Sequence, residues 1–480
     1  MNTANIVGNH RIPAAKDREI MVLDPATDEL VATVPDCGAA ETIQAIDAAA
    51  DAFQRWRLVP AADRASVLLA FAEALTADRE RLASILTREQ GKPLAESRME
   101  IDYAASFLPV AAEAVLGIED ERIDLPGKDV QVRHRPLGVT AAITPWNFPI
   151  AMLAKKTAPA LAAGCVQVVK PAEQTPLSAI AFAEIGLRVG IPPGVLNVIT
   201  GSPEPIGEAL LADPRVRKIS FTGSTEIGRL LMRGGARNLL RLSLELGGHA
   251  PLIVFEDADL DQAIDVAITA KFRNAGQTCI SPNRFLIHHS LHDAFVDRLV
   301  VAATSLVSGR GDQDGVQLGP LIDDAAVAKV FAHVEDATAS GASLACGGGR
   351  RTFAGLTDRF PEPTVLVNTG PDMLCWQEET FGPVCPVRSF TDDDEALELA
   401  NDTEYGLAGY AITDDPERIA RLGRDLQAGI IGINDGGPAV AQVPFGGIKH
   451  SGFGREGGRW GVQEYLELTT VSCIHGGLSG

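Results

Sequence analysis

Apolar residues recur at three- and four-residue steps through residues 40–116, and Ile43, Ile46, Ala50, Phe53 and Trp56 form one such stripe. That spacing predicts a helix with one buried face. Breaks at LVPAAD (58–63) and GKP (91–93) divide the region into successive helices. Beyond residue 138 the texture changes. VTAAIT (139–144), VQVVK (166–170), VLNVIT (195–200) and KISFTG (218–223) are short apolar runs rich in β-branched residues. Helix-like stretches at 150–163, 176–189, 204–211 and 225–233 alternate with them. Strict strand–helix alternation implies crossover connections and a parallel sheet covered on both faces.

Such sheets bind ligands at the carboxyl ends of their strands. Each run here ends in a polar, Gly- or Pro-containing loop (PWNFP, KPAEQTP, TGSPEP, TGSTEIG), where a cofactor is expected. A second alternating block begins at PLIVF (251–255) and extends to about 437. Segments 117–137 and 460–480 belong to neither block. Their alternating patches, KDVQVRHR and EYLELTTVSCI, predict a small separate sheet.

A chain of 480 residues exceeds one ordinary core and implies two or more subdomains. Its 46% hydrophobic and 22% charged content is that of a globular protein. A net charge of −21 argues against nucleic acid or an anionic membrane as a partner. The N-terminus carries neither an apolar signal core nor an Arg-rich transit pattern, and no uninterrupted apolar run is long enough to span a bilayer. The seven cysteines, at 37, 165, 279, 346, 375, 385 and 473, form no CxxC pair or Cys/His cluster. Neither a metal site nor a disulfide framework is expected, and a reducing cytoplasm fits best.

Four stretches could carry chemistry. In FTGSTEIG, Gly223 and Gly228 flank a strand-to-helix turn whose amides favour phosphate; a structural turn is the alternative. In VVKPAEQTP, Lys170 and Glu173 could hold a ribose or phosphate, or bridge to each other. LELGGHAP places Glu245 at the end of an apolar strand, where desolvation raises a carboxyl pKa. That suits a general base, and a buried salt bridge is the alternative. In NAGQTCIS, Cys279 sits in a turn among small polar residues, where it could attack a substrate; an ordinary buried cysteine is the alternative. A free thiol titrates near about 8.5, so it needs help to ionise at neutral pH.

TPWNFP, KPAEQTP, SFTGSTEIG, LELGGHAP, FRNAGQTC, EETFGPV and PFGGIKHSGFGRE occur in this order. Together they resemble the aldehyde dehydrogenase superfamily, from about residue 20 to the end. The resemblance implies an α/β protein with a Rossmann-like NAD-binding domain (1–116 and 138–246) and an α/β catalytic domain (247–437). It also implies a small bridging β-sheet (117–137 and 460–480) that joins subunits into a homodimer or homotetramer. Cys279 then matches the nucleophile that forms a thiohemiacetal and a thioester, and Asn147 matches the oxyanion donor. Glu245 matches the base that hydrolyses the thioester, and Lys156 with Glu467 matches a proton path away from it. Trp146, Lys170, Glu173, Gly223, Ser224, Glu379 and Phe381 are the implied cofactor contacts. Glu245 favours release of a free acid over transfer to coenzyme A. Glu173 favours NAD, and the neighbouring Lys170 leaves NADP possible.

Within the superfamily the sequence is most similar to succinate-semialdehyde dehydrogenases, through GKPLAES, YAASF, KFRNAGQTC and DMLCWQEETFGP among others. That group holds a distal substrate carboxylate with two arginines and a serine. Arg273 matches one arginine, Lys155 replaces the other, and Ala439-Val440 stand where the serine is expected. Lysine lacks the bidentate fork of arginine, so the swap is not neutral. The expected substrate is a small aldehyde with a distal carboxylate, such as succinate semialdehyde. A neutral, longer or aromatic aldehyde is the alternative. From another class, a Cys-dependent esterase or a non-catalytic binding protein could use the same fold.

Overall fold

The computed structural model describes residues 3–13 and 18–474. In the region of strict alternation, strands Val139–Ile143, Val166–Lys170, Leu196–Val198 and Val216–Thr222 alternate with helices Pro149–Ala163, Pro176–Arg188, Pro203–Ala212 and Thr225–Gly235. Proline stands in the first turn of the first three helices. There its missing N–H leaves no gap in the ladder and its fixed φ suits the helix. Helix Pro149–Ala163 stops at Gly164, whose φ of +90° is the left-handed geometry of a helix end.

Five parallel strands form the centre of the first sheet, in the spatial order Arg241–Glu245, Val216–Thr222, Val139–Ile143, Val166–Lys170, Leu196–Val198. Antiparallel strands Gly452–Phe453 on one side, and Asn5–Val7 with His10–Ile12 on the other, complete its edges. The chain winds outward from Val139–Ile143 in one direction, then returns to that strand's opposite side. Strand order therefore reverses between Val139–Ile143 and Val216–Thr222, and the loops leaving these two strands part to open a crevice.

The second sheet runs Ser343–Cys346, Thr364–Val367, Val384–Phe390, Pro282–His288, Ala250–Val254, Ala408–Ile412, Ile430–Ile433. It is parallel except for the pair Ser343–Cys346 and Thr364–Val367. Each sheet has its own core, around Val168, Phe182 and Leu196 in one and Leu252, Phe285 and Val387 in the other. The crevice lies between them.

The segments 117–137 and 460–474 supply an antiparallel sheet of Glu121–Leu125, Lys128–Pro136 and Leu466–Cys473. Residues 475–480 of the expected bridging segment lie outside the described residues, as do 1–2 and 14–17. Among the described residues no helix is long and apolar enough to cross a membrane.

The helical region consists of Ala39–Trp56, Ala61–Ala77, Arg79–Gln90 and Leu94–Leu116. The stripe expected on the first helix is rotated. Thr42, Ala45, Ile46, Ala49, Ala52 and Trp56 are buried, whereas Ile43 is exposed. The helix lies against strand Val166–Lys170 and helix Pro203–Ala212, and that close approach favours its alanine-rich face.

Candidate active site

A cavity of about 430 Å³ opens at the strand-order reversal. The first sheet contributes the carboxyl ends of its strands, through Pro145–Phe148 and Thr222–Ser224. The second contributes loops that precede its strands: Thr278–Ile280 before Pro282–His288, and Glu379–Phe381 before Val384–Phe390. The expectation of ligand-bearing carboxyl ends therefore applies to one half only.

Asn147 is held from both halves. Its side-chain amide Nδ2 donates to the Gln277 carbonyl at 3.0 Å. Its own carbonyl accepts from Lys92 Nζ at 2.6 Å and from Asn274 Nδ2 at 3.0 Å. An amide nitrogen carries two N–H groups, so one remains for a substrate oxygen. Lys92 is ion-paired with Glu100 at 2.6 Å, both side chains fully buried. Glu100 Oε1 accepts from Ile150 N and Ala151 N, satisfying orphan amides at the start of helix Pro149–Ala163. Glu96 accepts from Asn274 N at 2.8 Å. Sequence reasoning missed this bracket, although Lys92 and Glu96 lie in the GKPLAES stretch and Glu100 just beyond it.

The nucleophile loop is bent by three successive left-handed residues: Asn274 (φ 52°), Ala275 (φ 54°) and Gly276 (φ 79°). A Cβ on Gly276 would stand 2.3 Å from the Gly382 carbonyl oxygen, so no larger residue fits. The conformation costs about 1–3 kcal/mol at each of the two non-glycine positions. Gln277 locks it, donating to the Asn274 carbonyl at 3.1 Å and accepting from Ile322 N at 2.9 Å. Cys279 follows and lines the cavity. Burial pushes its thiol up to about 12, and the carboxylates Glu379 and Glu245 add to the rise, while Lys155 and Arg273 oppose it.

Glu245 ends its strand fully surrounded by protein, and neither carboxylate oxygen has a hydrogen-bond partner among the described residues. Burial holds its pKa well above the carboxylate range. Glu456 reinforces the shift, and Lys155, Lys156 and Arg455 oppose it. Lys156 Nζ bonds Glu456 Oε1 at 2.5 Å and Ser220 Oγ at 3.2 Å.

This corrects the expected pairing of Lys156 with Glu467. Glu467 lies opposite Arg135 in the small sheet and contacts Arg241 at 3.7 Å, partly in solvent. The carboxylate that meets Lys156 comes from the end of PFGGIKHSGFGRE, brought in because Gly452–Phe453 pairs with the strand of Glu245.

On the cofactor side, Trp146 and Phe381 meet edge to face with ring centroids 5.5 Å apart. Phe381 adopts φ 56°, a strained geometry for a bulky residue. Glu379 Oε1 accepts from Gly248 N at 3.1 Å, and burial pushes this carboxyl up to about 7. Ser224 caps helix Thr225–Gly235 through Ile227 N. That helix start and Gly223 border the cavity, and a Cβ on Gly247 would lie 3.2 Å from Glu379 Oε2. The open backbone, the helix start at Ser224 and the pair of Trp146 with Phe381 make a lining that fits a nicotinamide dinucleotide. Lys170 and Glu173 are ion-paired to each other at the end of the neighbouring strand and do not line the cavity.

The substrate side is formed by Tyr103, Phe148, Met152, Arg273, Ala439 and Phe445. The Arg273 guanidinium lies 5.3 Å from the Phe148 ring centroid. Lys155 does not line the cavity: its ammonium lies 3.0 Å from the ring centroid of Phe445, which does.

The aldehyde dehydrogenase family model matches residues 12–471. The chain is 48% identical over 467 residues to the glutarate-semialdehyde dehydrogenase of Pseudomonas aeruginosa, covering 97% of this chain and 96% of that one. It is 47% identical over 473 residues to the NADP(+) succinate-semialdehyde dehydrogenase of Escherichia coli, covering 98% and 97%. The crystal structure of succinate-semialdehyde dehydrogenase from Burkholderia pseudomallei matches with a TM-score of 0.96 at 48% identity, covering 99% and 98%. With Cys279, Asn147 and the helix start at Ser224 lining one cavity, the chain belongs to the aldehyde dehydrogenase family and is an NAD(P)-dependent oxidoreductase.

Proposed function

We propose that the protein oxidises an aldehyde bearing a distal carboxylate, in the class of succinate and glutarate semialdehydes, to the dicarboxylic acid. The observation that carries this reading is Arg273, a cation in the wall of the same cavity as Cys279. The similarity to a glutarate-semialdehyde dehydrogenase and a succinate-semialdehyde dehydrogenase supports it.

In this mechanism the Cys279 thiol gives up its proton to solvent, its sulfur adds to the carbonyl carbon, and the π electrons move to oxygen. The Asn147 amide and the Cys279 N–H receive the oxyanion, a stabilisation typically worth about 3–4 kcal/mol for one such donor. Bound NAD(P) supplies the hydride acceptor. As the carbonyl re-forms, hydrogen leaves carbon with its electron pair and a thioester remains on Cys279. Glu245 takes a proton from water, the water oxygen attacks the thioester, and the carbon–sulfur bond breaks to release the acid. Lys156 and Glu456, bonded to each other and near enough to Glu245 to shift its pKa, would carry its proton away. Glu173 favours NAD, and its ion pair with Lys170 softens the repulsion of a 2′-phosphate, so both cofactors are accepted. The small sheet, by the same family reading, joins subunits.

NADH formation over an aldehyde panel tests the proposal. Succinate and glutarate semialdehydes should exceed neutral aldehydes of equal length by about 10–100-fold in kcat/KM, the value of one charged hydrogen bond. Equal turnover of butanal would reject the carboxylate reading.

A further inference from the structure

Lys155 stands where the sequence resemblance suggests a substrate-binding cation, but its surroundings point elsewhere. Its Nζ is fully buried and has no hydrogen-bond partner among the described residues. Phe445 stands against it with its ring at 3.0 Å, and it is Phe445 that faces the cavity. On its other contact, Lys155 Nζ lies 3.8 Å from Glu456 Oε2. That oxygen is also without a partner, as are both oxygens of Glu245.

Charge balance assigns the role. The groups facing Lys155 are Glu456, Glu245, Lys156 and Cys279. Glu245 in turn faces Glu456, Lys155, Lys156 and Arg455. Lys156 already holds Glu456 at 2.5 Å, with Ser220 completing that pair. A buried carboxylate without a cation takes up a proton instead of ionising. When Glu245 ionises to act as a base, Lys155 is the buried ammonium not already committed to a hydrogen-bonded partner.

We propose that Lys155 is a positioning residue of the hydrolytic step, holding the negative charge of Glu245 and Glu456 from behind Phe445, and does not grip the substrate carboxylate. Of the two cations matched to the carboxylate site, Arg273 is then the one that lines the cavity and reads that carboxylate. The ammonium itself is consistent with the role: burial lowers it to about 8, with Glu456 and Glu245 sustaining its charge.

The inference rests on Cys279-dependent oxidation with Glu245 as the hydrolytic base, and the experiment separates the two. Pre-steady-state NADH bursts report oxidation, and steady-state turnover against pH reports hydrolysis. Both are measured with succinate semialdehyde and butanal on wild type, Lys155→Met, Lys155→Gln and Lys155→Arg. No wild-type NADH from any aldehyde, in the burst or in the steady state, would fault the oxidation reading before any variant is compared.

Removing the cation raises the Glu245 pKa further, so the rising limb of kcat should move up by about one pH unit or more in both neutral variants. Lys155→Arg should restore it. The ratio of kcat/KM for the two aldehydes should stay within about threefold of wild type, because a carboxylate contact would be worth about tenfold or more. A tenfold collapse of that ratio with an unmoved pH limb overturns the proposal. So does an unmoved limb with the ratio unchanged. Two neutral variants of different polarity guard against one that folds poorly.

Discussion

Two groups of buried charges flank helix Pro149–Ala163, and they are built on opposite plans. At its start, Lys92 and Glu100 pair at 2.6 Å, and their remaining capacity goes to the Asn147 carbonyl and two helix amides. On the helix itself, Lys155 and Lys156 face Glu456 and Glu245, and four polar atoms of this group have no hydrogen-bond partner among the described residues. A satisfied buried pair holds geometry, whereas unsatisfied buried groups carry a desolvation cost that persists where chemistry needs mobile protons. The first group fixes Asn147; the second surrounds Glu245.

The contrast predicts that the two groups fail differently. Glu245→Gln should lower steady turnover by about 10²–10⁴-fold, while one NADH burst survives and the thioester accumulates. Its urea midpoint should stay near that of wild type, because no hydrogen bond is lost. A normal steady rate would remove Glu245 from its role. Lys92→Met should do the reverse first. It leaves Glu100 buried and unpaired, costing about 3–5 kcal/mol in urea unfolding. An unchanged midpoint would show that the bracket carries no structural load.

A smaller effect sharpens the electrostatics. The folded Cys279 thiol is raised to about 12, so thiolate is scarce at neutral pH and grows with alkalinity. Without cofactor or substrate, alkylation by iodoacetamide should accelerate about tenfold per pH unit from 7 to 10. A plateau by pH 8 would mean that the thiol is activated in the resting enzyme. The smallest effect separates two glutamates. Glu467→Gln removes a partly exposed contact to Arg241 and should cost less than about 1 kcal/mol. Its kcat–pH profile should match wild type, whereas Glu456→Gln should displace that profile. The reverse outcome would restore Glu467 to the proton path.

Local pattern was legible wherever backbone preference and burial agreed. Strand Val166–Lys170 coincides with the VQVVK run, and helix Pro176–Arg188 ends one residue before its expected limit. Pattern failed where one face had to be chosen among several apolar ones, as with exposed Ile43 beside buried Thr42. Cys279, Asn147 and Glu245 were legible because each sits in a motif at the end of an element. The Lys92–Glu100 bracket was not, because nothing in GKPLAES announces that its lysine reaches a carbonyl 55 residues away.

The sequence by itself determined the alternation of strands and helices, the kinds of reactive group present and the loops that carry them, since these depend on residues near one another in the chain. Only the tertiary structure decided which charges meet. Lys156 and its carboxylate are 300 residues apart, and the ten residues between Glu456 and Glu467 decide between a buried ion pair and a partly exposed strand. The same holds for Lys155: its charge is written in the sequence, but the ring of Phe445 sets what that charge can reach. Coulomb interactions depend on distance and burial, and both are properties of the folded chain.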